Sequence, residues 1–149
     1  MSAESLRLPT GDGVLRLRIQ KNFESLEGAQ QALREFLEAA GAGSKGLYHA
    51  ELVLEELATN VIRHGGAGGP DAHPIELGVC VSGEEIILTI EDDGAHFNPL
   101  LAPEPLQPSR IEDARIGGLG IRMVRQAALG MQYERRAERN TVRVRIERM

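Results

Sequence analysis

Two short segments alternate apolar and charged side chains with a period of two: Leu15-Arg16-Leu17-Arg18-Ile19 near one end of the chain and Val142-Arg143-Val144-Arg145-Ile146 near the other. A strand of this kind has one apolar face and one charged face, so the sheet that holds it is covered on one side and carries arginine on the other. The cover is legible between them. Leu26, Ala29, Leu33, Phe36, Leu37 and Ala40 fall at helical spacing, and Gly41 supplies a stop. A second helix is expected after Ser44, with Leu47, Ala50, Leu54, Leu57, Ala58 and Val61 as its buried stripe, until Gly65-Gly66 breaks it.

Residues 65–74 read as a glycine-rich turn, followed by strands over 75–81 and 85–91 joined by Ser82-Gly83 as a hairpin. Residues 92–115 have no clear period and hold Pro99, Pro103, Pro105 and Pro108, which predicts a long functional loop or lid. After Gly117-Gly118-Leu119-Gly120, the spacing of Ile121, Val124 and Ala128 predicts a third helix, and two strands finish the chain. The expected fold is therefore α+β: a two-layer sandwich of about five strands, antiparallel or mixed, covered on one face by three helices. The strict βαβ alternation of a doubly wound dinucleotide fold is absent.

With 42% of its 149 residues hydrophobic, the chain can bury roughly two-thirds of its unfolded surface, enough for a single domain. A net charge of -5 argues against holding a polyanion through bulk charge, so nucleic acid is not expected as a direct partner. Cys80 stands alone and allows no internal disulfide, and the first ten residues lack the apolar core of a secretory signal. No apolar run approaches the roughly 20 residues needed to span a bilayer. A cytoplasmic, membrane-free protein is the expectation.

Three segments carry chemistry. In the second helix Glu56 and Asn60 are four residues apart and project from one face, with Arg63 on the same side. Asn can give Mg²⁺ an oxygen ligand without added negative charge, while Glu can take a proton from an attacking hydroxyl or water. A solvated helix face would look the same. In the second segment, the apolar strand carrying Ile86, Leu88 and Ile90 ends in Asp92-Asp93-Gly94. A carboxylate held there can accept from the exocyclic amine of adenine, and Gly94 lets backbone approach a flat ring. An ordinary Asp-Gly turn is the plainer alternative. In the third, Gly117, Gly118 and Gly120 open a helix, where bare backbone N–H groups can receive phosphate oxygens. It is neither a P-loop, since no Lys-Ser/Thr follows, nor a Rossmann fingerprint, since Met123 holds the place of the third small residue. A glycine hinge would also fit. Their order weighs against coincidence: base-and-magnesium helix, adenine strand end, lid, phosphate-binding helix start.

These segments resemble the N, G1 and G2 boxes of the Bergerat-fold ATPases, the superfamily of gyrase, heat-shock chaperones and histidine kinases. Within it, the phrases ELATNVIRHG, DDGAHFNP and GGLGIRMVRQ are most similar to the anti-sigma factor serine/threonine kinases. The resemblance implies ATP and Mg²⁺ as cofactors, Glu56 as general base, Asn60 as magnesium ligand and Asp92 as adenine acceptor. It further implies that Gly94 shapes the base pocket, that Gly117, Gly118 and Gly120 meet the phosphates, and that Thr141 lies near adenine. It divides the chain into an extension over 1–13 and one ATP-binding kinase domain over 14–149, with a lid at about 95–116. His96 stands where the broad superfamily has a second glycine, and Arg115 lies one position back from the basic residue of several such kinases. His49, His64 and His73 form no metal-ligand pattern.

A histidine nucleophile needs no deprotonation when neutral, whereas a hydroxyl gains typically 10²- to 10⁴-fold from a base, so Glu56 favours a serine, threonine or water nucleophile. The leading expectation is a kinase that phosphorylates a STAS-type anti-sigma factor antagonist and holds a sigma factor when that antagonist is modified. Both partners, and a homodimer, come from the resemblance. The alternative is an ATP-binding module that sequesters a partner without phosphotransfer.

Overall fold

The computed structural model describes residues 6, 8, 13–64, 74–94, 98, 100 and 119–149. The chain opens with β1 (Val14–Ile19) and then forms α1 (Phe23–Ala39). Asn22 caps this helix in extended backbone, its side chain accepting from the Ser25 N–H at 2.7 Å, while Ser25 Oγ accepts from the Gln20 N–H at 2.9 Å. One orphan donor of the first turn is thereby satisfied, and the chain entering the helix is tied to that turn. The exit is equally defined. Gly41 takes φ +78°, and the N–H groups of Gly41 and Ala42 donate back to the carbonyls of Glu38 and Leu37, a Schellman ending that requires the left-handed conformation glycine adopts without strain.

After α2 (Ser44–His64) come β2 (Ile75–Ser82) and β3 (Glu85–Asp92), joined by a two-residue turn with Gly83 at φ +59°. The expected hairpin is present. The last three elements are α3 (Leu119–Ala127), β4 (Ala128–Arg136) and β5 (Arg139–Glu147). All four strand pairings are antiparallel, in the order β1-β2-β3-β5-β4. Of the two arrangements the alternation allows, the sheet is the antiparallel one.

Ala128 departs from the expected third helix: it opens β4, opposite Ile146 of β5, and a bulge at Leu129 follows. Ala128 is packed against the core. A helix end and a strand start both bury that position, so periodicity alone does not distinguish them.

The core lies between the helices and one face of the sheet. Leu77 and Val79 of β2, Ile86, Leu88 and Ile90 of β3, and Val142, Val144 and Ile146 of β5 meet Leu33 and Leu37 of α1 and Ala50, Val53, Leu54, Leu57 and Ala58 of α2. Ile121 and Val124 complete it from α3. The start of α2 is clamped on the end of β5: Gly43 N–H donates to Arg148 O at 2.9 Å, and a Cβ on Gly46 would stand 2.7 Å from Glu147 O.

The opposite face carries the alternate residues. Arg18 pairs with Glu76 at 3.7 Å, and Arg139 reaches both Glu76, at 3.9 Å, and Glu91. Leu6 and Leu8, from the expected 1–13 extension, lie against this face. The Arg143 guanidinium donates twice to Leu6 O, at 2.8 and 3.1 Å, Glu134 accepts from Leu6 N–H at 2.9 Å, and Arg16 donates to Leu8 O. The Leu8 side chain is buried over Gly78, where a Cβ would stand 2.8 Å from Thr89 Oγ1 and 3.4 Å from Leu8 itself. Among the described residues no helix is long and apolar enough to cross a membrane.

Candidate functional site

α2 is the middle helix of the cover, packed between α1 and α3 and against β3 and β5. It has no room to turn. Its apolar stripe is consumed by the core, so Glu56 and Asn60, one turn apart, share a half-buried flank. Glu56 reaches the first turn of α3. A Cβ on Gly120 would overlap Glu56 Oε2 and stand 2.7 Å from Cδ, so only glycine lets the carboxylate lie against the backbone at that helix start. The structure thus brings together Glu56 and Gly120, residues 64 positions apart in the chain. Burial is the main cause that raises the Glu56 pKa above the ordinary glutamate value; Glu55 adds to the rise and Arg63 opposes it.

The carboxylate lines a cleft of about 660 Å³ among the three helices, bordered by Phe23 and Glu27 of α1, Thr59 and Arg63 of α2, and Met123 of α3. Among the described residues no group of three His, Cys, Asp or Glu side chains forms a metal cage. Asn60, one turn along the same flank, offers a neutral amide oxygen of the kind Mg²⁺ accepts alongside phosphate oxygens.

Asp92 ends β3 in phase with Ile86, Leu88 and Ile90, which places it on the helix-covered side, 6% exposed. Its Oδ2 accepts from Gly94 N–H at 2.9 Å and from Asn140 Nδ2 at 3.4 Å. Burial raises its pKa; the Gly94 N–H, the Asn140 amide and the Lys21 charge work against the rise, and Asp93 works with it. Lys21 is itself nearly enclosed, its ammonium 3.6 Å from Asp93. The Gly94 carbonyl accepts from Arg135 at 3.0 Å, which fixes the turn that leaves the strand.

Thr141 is not beside Asp92. It pairs with Glu91 across β3–β5, in phase with Arg143 and Arg145 on the face away from the helices. Its neighbour Asn140 is the residue opposite Asp92. The signal for this was present in the alternation, since Asn140 is in phase with the inward Val142, Val144 and Ile146. Sequence reasoning also passed over Tyr133 and Arg135, which hold Asn140, and Arg125 of α3, which donates to Leu100 O. Gly117, Gly118, His73, His96, Arg115 and all of the expected lid except Asn98 and Leu100 lie outside the described residues, as does the His64 side chain. His49 lies beside the Tyr48 ring, centroids 5.8 Å apart.

Known proteins share this fold. Serine/threonine-protein kinase BtrW of Bordetella bronchiseptica is 32% identical over 87 residues, a stretch covering 57% of this chain and 59% of that protein, so the match spans under two-thirds of the relative's length. The structure of the RsbU and RsbW domains of Rv1364c from Mycobacterium tuberculosis superposes with a TM-score of 0.65 at 17% identity, over 95% of this chain and 33% of that one. The SiaB-SiaC complex from Pseudomonas aeruginosa gives 0.64 at 16% identity, over 89% of this chain and 88% of its counterpart. At such identities the two structures establish a shared fold. Residues 19–146, from the end of β1 to the penultimate residue of β5, match the family described as the histidine kinase-like ATPase domain, and it is to this family that the chain belongs.

Proposed function

We propose that the protein is an ATP-dependent serine/threonine kinase that phosphorylates a STAS-type anti-sigma factor antagonist and holds a sigma factor once that antagonist is modified. The observation that carries the kinase reading is the Glu56 carboxylate, half-buried at a cleft and in contact with the α3 start through the missing side chain of Gly120. The similarity to BtrW, itself named a serine/threonine-protein kinase, supports the same reaction. The structure of the RsbU and RsbW domains and the SiaB-SiaC complex support the fold this reading requires.

In this reading Asp92 accepts a hydrogen bond from the adenine amine, and Gly94 brings backbone to the edge of the base. The first turn of α3, with Gly120, faces the phosphates, and Gly117 and Gly118, which precede it in the sequence, are proposed as further phosphate contacts. Asn60 contributes an oxygen to Mg²⁺, which when bound neutralises phosphate charge. Glu56 takes the proton of the acceptor hydroxyl as that oxygen forms its bond to the γ-phosphorus, while the bond from that phosphorus to the β-phosphate oxygen breaks and ADP leaves. A pKa raised above the ordinary glutamate value suits the task, because it makes the carboxylate a stronger proton acceptor.

The test is incubation with Mg-ATP and the candidate antagonist. Phosphoserine or phosphothreonine on the antagonist is expected, and Glu56→Gln lowers its formation by at least about 10²-fold while leaving ADP affinity intact. Absence of any phosphorylated hydroxyl despite nucleotide binding refutes the kinase. Partner regulation that survives in Glu56→Gln marks a binding module instead.

A further inference from the structure

Asn140 is 4% exposed and stands opposite Asp92 at the start of β5. A carboxamide has an acceptor end and a donor end, so its orientation determines which of the two meets the Asp92 carboxylate. The orientation is fixed from the far side. Asn140 Oδ1 accepts from the Tyr133 hydroxyl at 2.6 Å and from Arg135 Nη1 at 3.0 Å, two donors supplied by the neighbouring strand β4. Turning the amide over would set its N–H₂ group against the Arg135 guanidinium, which can only donate. Nδ2 is therefore directed to Asp92 Oδ2 and to the Gly94 carbonyl, each at 3.4 Å. Arg135 closes the ring by donating to the same Gly94 carbonyl at 3.0 Å, and Gly94 N–H returns to Asp92 Oδ2 at 2.9 Å. Among the described residues both hydrogen-bond donors to Asp92 converge on Oδ2, which leaves Oδ1 as its acceptor edge.

We infer that Tyr133, Arg135 and Asn140 act as a positioning set that presents Asp92 Oδ1 solely as an acceptor, and so make the base site select a purine with an exocyclic amine over one with a carbonyl at that position. The inference rests on the reading of Asp92 as the base acceptor. Two donors on one oxygen favour the ionised carboxylate, which accepts and cannot donate. An amine satisfies Oδ1. The carbonyl of guanine at the same place would set two acceptors against each other and leave both unpaired, at the cost of a lost charge-assisted bond. With the amide reversed or removed, Asp92 keeps only the Gly94 N–H as a hydrogen-bond donor among the described residues, and protonation turns it more readily into a donor that guanine can use. Lys21 and Asp93, the other charges beside Asp92, stand with opposite signs and 3.6 Å from each other, so the neutral amide is left as the directional group.

The experiment measures ADP and GDP affinity by calorimetry on the full chain, in wild type, Asp92→Asn, Asn140→Ala, the double variant Tyr133→Phe/Arg135→Met, and Tyr133→Phe alone. Wild type is expected to prefer ADP. The preference should fall about tenfold in Asn140→Ala and in the double variant, and about threefold in Tyr133→Phe, the range for one or two hydrogen bonds. A purely structural role would weaken both nucleotides alike and leave their ratio unchanged. The Tyr133→Phe protein, which loses one hydroxyl, keeps the test open if the larger changes impair folding. If the ratio collapses in Asp92→Asn yet stays within twofold of wild type in the Asn140 and Tyr133 variants, the positioning set is overturned while the base site stands. If wild type binds neither nucleotide, the base-site reading fails and takes the inference with it.

Discussion

Glu56 and Asp92 are carboxylates whose burial works against the stability of the fold. Each has its pKa raised chiefly by burial, so the charged form is disfavoured in the folded protein relative to the unfolded chain. The sign of the linkage follows: between the ordinary carboxylate value and the raised one, the folded state binds more protons, and stability falls as pH rises. Below the ordinary value the gain is complete; above the raised value it is gone. Denaturant melts should therefore show wild type gaining stability as pH is lowered through this window, relative to a Glu56→Gln/Asp92→Asn reference that lacks the two titrations. Phosphotransfer should fall over the same interval, as Glu56 is protonated. Asp92→Asn should weaken ADP binding by about 1.5–3 kcal/mol, the range for a hydrogen bond to a charged group, and titration calorimetry at neutral pH measures it; unchanged affinity would remove Asp92 from the base site. At this scale the sequence marked residue types well and directions unevenly. Glu56 and Asn60 share a flank because four residues make about one helical turn, but it is Asn140, and not the Thr141 that the resemblance pointed to, that strand parity sets opposite Asp92.

The elements were legible wherever a local signal ends them. Gly41 closes α1 in the left-handed conformation its position demands, and Asn22 opens it with a side-chain cap. The boundary between α3 and β4 carried no such signal, because Ala128 is apolar in either state and no glycine or proline precedes it. The β4–β5 turn is an element with the wrong residues for its shape. Ala137 and Glu138 occupy it at φ +52° and +62°, a conformation that favours an asparagine followed by a glycine in two-residue hairpins. The double substitution Ala137→Asn/Glu138→Gly should raise stability by about 1 kcal/mol, since left-handed backbone costs roughly that for ordinary residues, read as a shift of the urea midpoint with the slope unchanged. A midpoint that stays put or falls would show that the turn carries no strain.

At the scale of the whole molecule, one sheet serves two surfaces. Its helix side holds the core and the site; its other side holds arginine–glutamate pairs together with Leu6 and Leu8. Leu8 is 5% exposed above Gly78, so Leu8→Ala should cost about 2 kcal/mol or more, as truncations of buried leucines do, while ADP affinity is unchanged because the site lies through the sheet on the opposite face. Urea melts paired with calorimetry check both halves, and a loss of affinity as large as the loss of stability would show that the two faces are coupled. The sequence by itself determined the α+β class, the strands and helices and their approximate ends, and it singled out the three segments proposed to bear chemistry, because periodicity, glycines and carboxylate spacing are properties of neighbours along the chain. Only the tertiary structure decided that Glu56 lies against Gly120, that Asn140 and not Thr141 meets Asp92, and that Leu8 covers Gly78. Those contacts join residues from 48 to 70 positions apart, and such contacts follow from strand register and helix packing, which no local pattern encodes.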